Sequence, residues 1–181
     1  QIREALNLLK YNSPEVVHYS FILLNEKGKS KKMSTRKGDV VLLEDFLEDA
    51  IKKAKKEISK RKTKGDAKRV GVGAVKYSIL KNNNNRMINF NLDEALNFEG
   101  DTGPYLLYSY ARASSIIRKA KINAKKDFPF DELEEKEIDL IKKLEQFPEI
   151  ILKSYKNLNP SLIANYSYQL AQIFNEFYHC C

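Results

Sequence analysis

Lys32-Met33-Ser34-Thr35-Arg36-Lys37-Gly38 packs two lysines, an arginine, a hydroxyl pair and a glycine into one short stretch between two apolar runs. Upstream, Val16-Val17-His18-Tyr19-Ser20-Phe21-Ile22-Leu23-Leu24 is β-branched and aromatic. Val17, Tyr19, Phe21 and Leu23 fall on one side of it, the pattern of a strand. Downstream, Val40-Val41-Leu42-Leu43 is a second apolar run that ends at an acidic helix start. The basic stretch therefore reads as a loop leaving a sheet. Charged loops are commonly solvated and nothing more. Here Lys32 and Lys37 offer point charges, Arg36 a planar fork, and Ser34, Thr35 and the Gly38 amide neutral donors, a set suited to phosphate oxygens. Residue chemistry alone supports phosphate binding and stops there.

The 181 residues suffice for one large domain or two small ones, and 43% hydrophobic content suffices for a packed core. The net charge of +8 fits an anionic partner, because lysines that neutralise phosphates release condensed counterions, and it fits a lysine-rich soluble surface equally well. No apolar run approaches the roughly 20 residues that cross a bilayer. The opening Gln1-Ile2-Arg3-Glu4 lacks the basic-then-apolar layout of a targeting segment. The expectation is a soluble, cytoplasmic setting with no membrane partner. Cys180 and Cys181 are adjacent, a poor geometry for an ordinary disulfide or a metal site, and receive no function. The chain starts without methionine and ends inside a helical pattern, as an excised segment would.

Around the basic loop the pattern is mostly helical. Ile2, Ala5, Leu6 and Leu9 give a short amphipathic helix. From Glu44, the stripe Leu47, Ala50, Ile51, Ala54 and Ile58 has acids at its start and lysines at its end, with Glu48–Lys52 and Asp49–Lys53 at i,i+4. The excess lysine from Lys52 to Lys64 reads as a solvated face, with RNA backbone contact the lesser alternative. Lys64-Gly65-Asp66 is a turn before a compact helix from Ala67 to Leu80. Gly71 and Gly73 within it point to close helix packing rather than a nucleotide fingerprint, which needs a third glycine and a preceding strand. Arg86 to Leu92 alternates enough for a brief extended segment, and Asp93 is the expected cap of the turn that follows.

Gly100-Asp101-Thr102-Gly103-Pro104 punctuates the chain before a long helix. Leu106, Tyr110, Ala113 and Ile117 share a stripe on it, and packing is the expectation for Tyr105 and Tyr110. Tyr108, Arg112 and Ser115 lie on a neighbouring face, where i,i+4 spacing sets an aromatic plane beside a guanidinium. Three further helices follow, the last starting at Asn159-Pro160, and their stripes describe an antiparallel bundle with a single core. Tyr178 and His179 could face RNA, but as residues at the helix end packing is the preferred reading.

Lys-Met-Ser-Thr-Arg-Lys-Gly at 32–38 resembles the arginyl form of the class I aminoacyl-tRNA synthetase signature loop. The stretch from Phe98 through Gly103-Pro104-Tyr105 to Ile117 resembles the entry to that family's anticodon-binding helical domain. Weaker likeness runs through Val72-Gly73-Ala74-Val75-Lys76-Tyr77 and Phe174-Asn175-Glu176-Phe177-Tyr178-His179. The implied fold is mainly α: the end of a Rossmann-type catalytic domain at 1–60, a connecting stem-contact region at 61–100, and a helical-bundle anticodon-binding domain at 101–181. The His-Ile-Gly-His-type motif of the family's nucleotide-binding sheet does not occur in the chain.

The resemblance implies ATP-dependent activation of arginine to an adenylate, followed by transfer to a terminal ribose hydroxyl of tRNA(Arg). It makes Lys32 and Lys37 the catalytic candidates, contacting the β- and γ-phosphates, with Met33, Ser34, Thr35, Arg36 and Gly38 completing the ATP-binding loop and magnesium accompanying the nucleotide. Thr35-Arg36 replaces the commoner Lys-Ser, which moves the second lysine to position 37. Tyr108 and Arg112 align with anticodon-contacting positions, and Tyr105 and Ser115 beside them are candidate tRNA contacts. The L-arginine pocket is expected outside this segment. The alternatives are a non-catalytic tRNA-binding module, a cysteinyl or methionyl relative, and a helical protein-interaction domain.

Overall fold

The computed structural model describes residues 1–26, 29–31, 41–120 and 133–180. Three short strands form one sheet: β1 (Ile22–Glu26), β2 (Lys29–Lys31) and β3 (Ile88–Phe90), in the order β2-β1-β3. β1 is central. It pairs antiparallel with β2, Leu24 opposite Lys31, and parallel with β3, Leu24 opposite Phe90.

β1 is shorter and later than the predicted strand. Residues 16–21 are outside the sheet, and Val17, Tyr19 and Phe21, the expected inner face, are exposed at 47%, 86% and 62%. Alternation marks a chain that can be extended, but a strand also needs a neighbour. Here β3 begins only at Ile88, whose N–H reaches back to the Phe21 carbonyl at 3.1 Å.

The helices are α1 (Ile2–Leu8), α2 (Leu43–Lys60), α3 (Ala67–Leu80), α4 (Leu92–Ala95), α5 (Gly103–Ala120), α6 (Glu135–Glu145), α7 (Phe147–Lys156) and α8 (Ser161–Cys180). α1 buries no residue. α2 carries Glu44 and Asp45 in its first turn and Lys60 in its last, which complements the helix dipole. Lys52 meets Glu48 at 3.5 Å as expected, but Lys53 passes over Asp49 and reaches Asp93 at 2.6 Å. Asp66 caps α3 by accepting from the Lys68 and Arg69 amides at 2.9 and 3.3 Å. Asn91 caps α4 in the same way, so Asp93 is not the cap but sits inside the first turn.

The main core lies where α2, α3, β3 and α4 meet. Ala50, Ala54, Ile58, Val70, Ala74, Val75, Phe90, Ala95 and Leu96 form it. Alanine and glycine dominate the α2–α3 contact because the backbones touch: a Cβ on Gly71 would lie 2.9 Å from the Ala50 carbonyl oxygen. The close-packing reading of Gly71 holds. α8 forms the second centre, packed by α5, α6 and α7 and touching α3. Its buried residues are Ser161, Tyr166, Ala171 and Asn175, three of the four polar or hydroxylic. The predicted single bundle core is therefore not where most apolar burial occurs. Tyr110 and Ile117 of α5, each 71% exposed, face away from it, and the packing expectation for Tyr110 fails.

Candidate nucleic-acid interface

The basic loop, Lys32, Met33, Ser34, Thr35, Arg36, Lys37 and Gly38, lies outside the described residues. Its two flanks are described. Lys31 ends β2, and Val41 and Leu42 lead into α2. Both flanks tie to one side chain: Phe90 pairs through its backbone with Leu24 beside Lys31, and its ring meets Phe46 of α2 edge-on at 5.2 Å. The cleft between them, about 390 Å³, is lined by Asp45, Asp49 and Asp93 against one cation, Lys53. Among the described residues this wall is acidic and offers phosphate no ligand set.

On α5, Thr102 and Pro104 start the helix. The Thr102 hydroxyl donates to the Asn97 carbonyl at 2.6 Å and accepts from the Tyr105 amide at 3.3 Å, while Pro104 is fully buried in the first turn. This fixes which face turns toward α8. Tyr105, Ser109 and Arg112 recur at helical spacing on that face, and all three meet Asn175. The Arg112 Nη1 donates to Asn175 Oδ1 at 2.7 Å. The Asn175 amide donates to the Tyr105 hydroxyl at 2.9 Å and to Ser109 Oγ at 2.8 Å.

Arg112 also donates through Nη2 to the Tyr108 hydroxyl. Its guanidinium carbon lies 4.6 Å from the Tyr108 ring centre and 4.5 Å from that of Tyr178. Cation–π attraction favours both contacts. Tyr108 and Tyr178 stay 49% and 44% exposed, so the arginine and its two rings form a surface cluster. The expected Tyr108–Arg112 pairing is present. Tyr105 has a double character: its ring packs edge-on against Tyr168 at 5.6 Å while its hydroxyl joins the Asn175 network. Ser115, half-buried one turn further along, takes no part in this network.

Asn175 is the functional candidate that sequence reading missed, and Tyr178 is the one it set aside in favour of packing. Tyr178 reads as a packing residue, yet it closes the arginine cluster. Asn175 carries a usable signal: an asparagine inside a helix between Phe174 and Phe177 is a poor helix former, and burial requires partners for its amide.

A second polar junction joins α3 to the start of α5 and to α8. The Tyr77 hydroxyl donates to Asp101 at 2.5 Å and lies 3.3 Å from the Ala164 carbonyl. Lys81 donates to the Asp101 carbonyl at 2.7 Å and pairs with its carboxylate at 3.1 Å. Burial, and then the Asp101 carboxylate, hold the Tyr77 hydroxyl far above the usual tyrosine range. Further along, Asn84 accepts from the Ser20 amide at 2.8 Å through its carbonyl and donates through its side chain to the Leu158 carbonyl at 2.9 Å.

Part of the lysine-rich end of α2 pairs with an acid on its own surface. Lys60 and Arg61 reach Glu57 at 4.0 and 3.9 Å, and Arg61 covers the Phe98 ring at 4.6 Å. This agrees with a solvated face. Among the described residues no group of three His, Cys, Asp or Glu side chains could hold a metal ion, and no helix is long and apolar enough to cross a membrane.

Residues 1–93 match the family described as tRNA synthetases class I (R), catalytic domain, and residues 106–181 match the DALR anticodon binding domain. The arginine–tRNA ligase of Limosilactobacillus reuteri is 42% identical over 184 residues, covering 98% of this chain and 32% of the relative. That of Clostridium perfringens is 43% identical over 171 residues, covering 90% of this chain and 30% of the relative. Among solved structures, the arginyl-tRNA synthetase of Thermus thermophilus superposes with a TM-score of 0.76 at 31% identity, over 90% of this chain and 27% of that one. The Plasmodium falciparum enzyme does so with a TM-score of 0.70 at 29% identity, over 90% and 28%. The chain thus spans about a third of the length of the curated relatives it matches.

Proposed function

The chain belongs to the arginyl-tRNA synthetase family of class I, and from that premise we propose that the longer protein it represents joins L-arginine to tRNA(Arg) at the expense of ATP. The observation that carries the reading is the near-complete match, 98% of the chain, to arginine–tRNA ligases at about 40% identity. Residues 1–60 then form the end of the catalytic domain, 61–100 the connecting region and 101–181 the anticodon-binding domain. The protein works in the cytoplasm.

In the first step the arginine carboxylate attacks the α-phosphate of ATP and pyrophosphate leaves. Negative charge must be held as the bonds rearrange, so catalysis is mostly positioning and electrostatics. Lys32 and Lys37 hold the β- and γ-phosphates, with Ser34, Thr35 and backbone amides supplying neutral donors. The cations and hydroxyls of residues 32–38, within the part of the chain that matches the class I catalytic domain, support giving this work to them. Magnesium would supply further charge neutralisation when bound with the nucleotide. Among the described residues no group of three His, Cys, Asp or Glu side chains is placed to hold it.

In the second step the tRNA ribose hydroxyl takes the aminoacyl group, and α5 and α8 check the nucleic acid at a distance. Tyr108 and Arg112 present one exposed aromatic face and one cationic plane, the surfaces on which unstacked loop bases are read. Tyr105 and Ser115 flank them. The Tyr77–Asp101–Lys81 and Asn84 junctions tie that face to the segment that carries the loop.

The test uses the full-length protein. Lys32→Ala and Lys37→Ala should each slow arginine-dependent pyrophosphate exchange by on the order of a hundredfold, the effect of losing one well-placed transition-state donor. Tyr108→Ala should instead weaken tRNA binding. Salt-dependent tRNA binding without any exchange activity would identify a non-catalytic module, and charging with cysteine or methionine in place of arginine would identify a different synthetase.

A further inference from the structure

We propose that Asn175 is the positioning residue that orients Arg112 for an RNA base, a role that rests on reading the α5–α8 face as the tRNA-binding surface. Asn175 sits in α8, 63 positions along the chain from Arg112, and is 9% exposed. A buried helix-interior asparagine is retained at a cost in helix propensity and in desolvation, so its amide has to be used. Both ends are used: Oδ1 takes the Arg112 proton, and Nδ2 serves Tyr105 and Ser109.

The orientation of the amide follows from its neighbours. Ser109 commits its hydroxyl proton to the Tyr105 carbonyl at 3.0 Å, so toward Asn175 it can only accept. Nδ2 must therefore face Ser109, which leaves Oδ1 facing the guanidinium. A turned amide would set its N–H against the guanidinium N–H and its oxygen against the Ser109 lone pair. α5 thus fixes Asn175, and Asn175 in turn fixes Arg112.

Two contacts in the guanidinium plane are enough to set that plane. Nη1 is held by Asn175 and Nη2 by the Tyr108 hydroxyl, and the Tyr108 and Tyr178 ring centres lie 4.6 and 4.5 Å from the guanidinium carbon. Of the five N–H donors an arginine carries, these two bonds use two and leave three for acceptors on a base edge or phosphate. A carboxylate at 175 would hold the guanidinium more strongly but cancel its charge. The neutral amide orients Arg112 and leaves it cationic. Ordering the long side chain before the ligand arrives removes a penalty that binding would otherwise carry.

The experiment measures binding of a tRNA(Arg) transcript to the full-length protein in four forms: unaltered, Asn175→Ala, Arg112→Ala and the double variant. Asn175→Ala should weaken binding about 3- to 10-fold, the cost of re-ordering one flexible side chain on association. In the Arg112→Ala background the same change should have no effect, because a residue acting through Arg112 has nothing left to act on. A loss that persists in that background, or no loss in Asn175→Ala where Arg112→Ala alone binds poorly, overturns the proposal. Full affinity in Arg112→Ala removes the tRNA-surface reading and the proposal together. Should Asn175→Ala not fold, Asn175→Ser removes the amide while sparing Arg112, and the same pair of backgrounds decides.

Discussion

A Cβ placed on Gly103 would lie 2.7 Å from the carbonyl oxygen of Gly73, so α5 begins in backbone contact with the middle of α3. The relationship is one-sided. A Cβ on Gly73 would meet only the Leu107 side chain, at 3.5 Å. Gly103→Ala should lower stability by about 1–3 kcal/mol, the usual cost of overpacking a site that cannot give way. Gly73→Ala should be neutral or raise stability by up to about 1 kcal/mol, since alanine is the better helix former. Urea unfolding of the two variants side by side checks the contrast, and equal losses would refute it.

Tyr77 makes stability depend on alkaline pH. The unfolded tyrosine ionises near its ordinary value of 10.0, while burial and Asp101 raise the folded one well above it. Below pH 10 the contribution is complete. Above it the unfolded chain sheds a proton that the folded chain keeps, so stability falls as pH rises. Tyr77→Phe should remove about 1.5 kcal/mol at neutral pH, the low end for a bond to a charged acceptor, because Asp101 keeps Lys81. The variant should also show a shallower decline above pH 10. Tyr166 and Tyr168 are raised in the same direction by burial, so some decline remains.

The exposed ring of Tyr108 gives a binding prediction of its own. Its replacement by alanine should cost about 1–3 kcal/mol of tRNA affinity if one base stacks there. Because an aromatic contact releases no counterion, the slope of log affinity against log salt should stay unchanged. Arg112→Ala should both weaken binding and flatten that slope. Filter binding across a salt series separates the two.

The Lys53–Asp93 pair joins α2 to α4 at 2.6 Å with side chains 44% and 79% exposed. Short distance does not make it strong: water and salt screen it, and a double-mutant cycle should give a coupling below about 1 kcal/mol that shrinks further in high salt. A coupling of several kcal/mol would show that the pair is more shielded than its exposure implies.

Helices were legible in the sequence where an apolar stripe ran for several turns, as in Ala50, Ala54 and Ile58 of α2, or followed a turn signal, as at Lys64-Gly65-Asp66 ahead of α3. The strand at 16–24 was misplaced because alternation reports what a chain can pair with, and its partner, Ile88–Phe90, enters from some seventy residues downstream. Asp93 looked like a cap by type, but Asn91 holds the position whose backbone is extended. At the candidate interface, Tyr108 and Arg112 lie one turn apart on a single helix, which local spacing reveals. Asn175 and Tyr178 reach them only through the packing of α8 on α5, and no local pattern encodes that meeting.

The segment between Lys31 and Val41 departs from and returns to the surroundings of Phe90. Its endpoints are therefore fastened by residues other than its own, which makes it a natural cassette. A graft of different charge or length between those two posts leaves both Phe90 contacts available, since neither is made by the grafted residues.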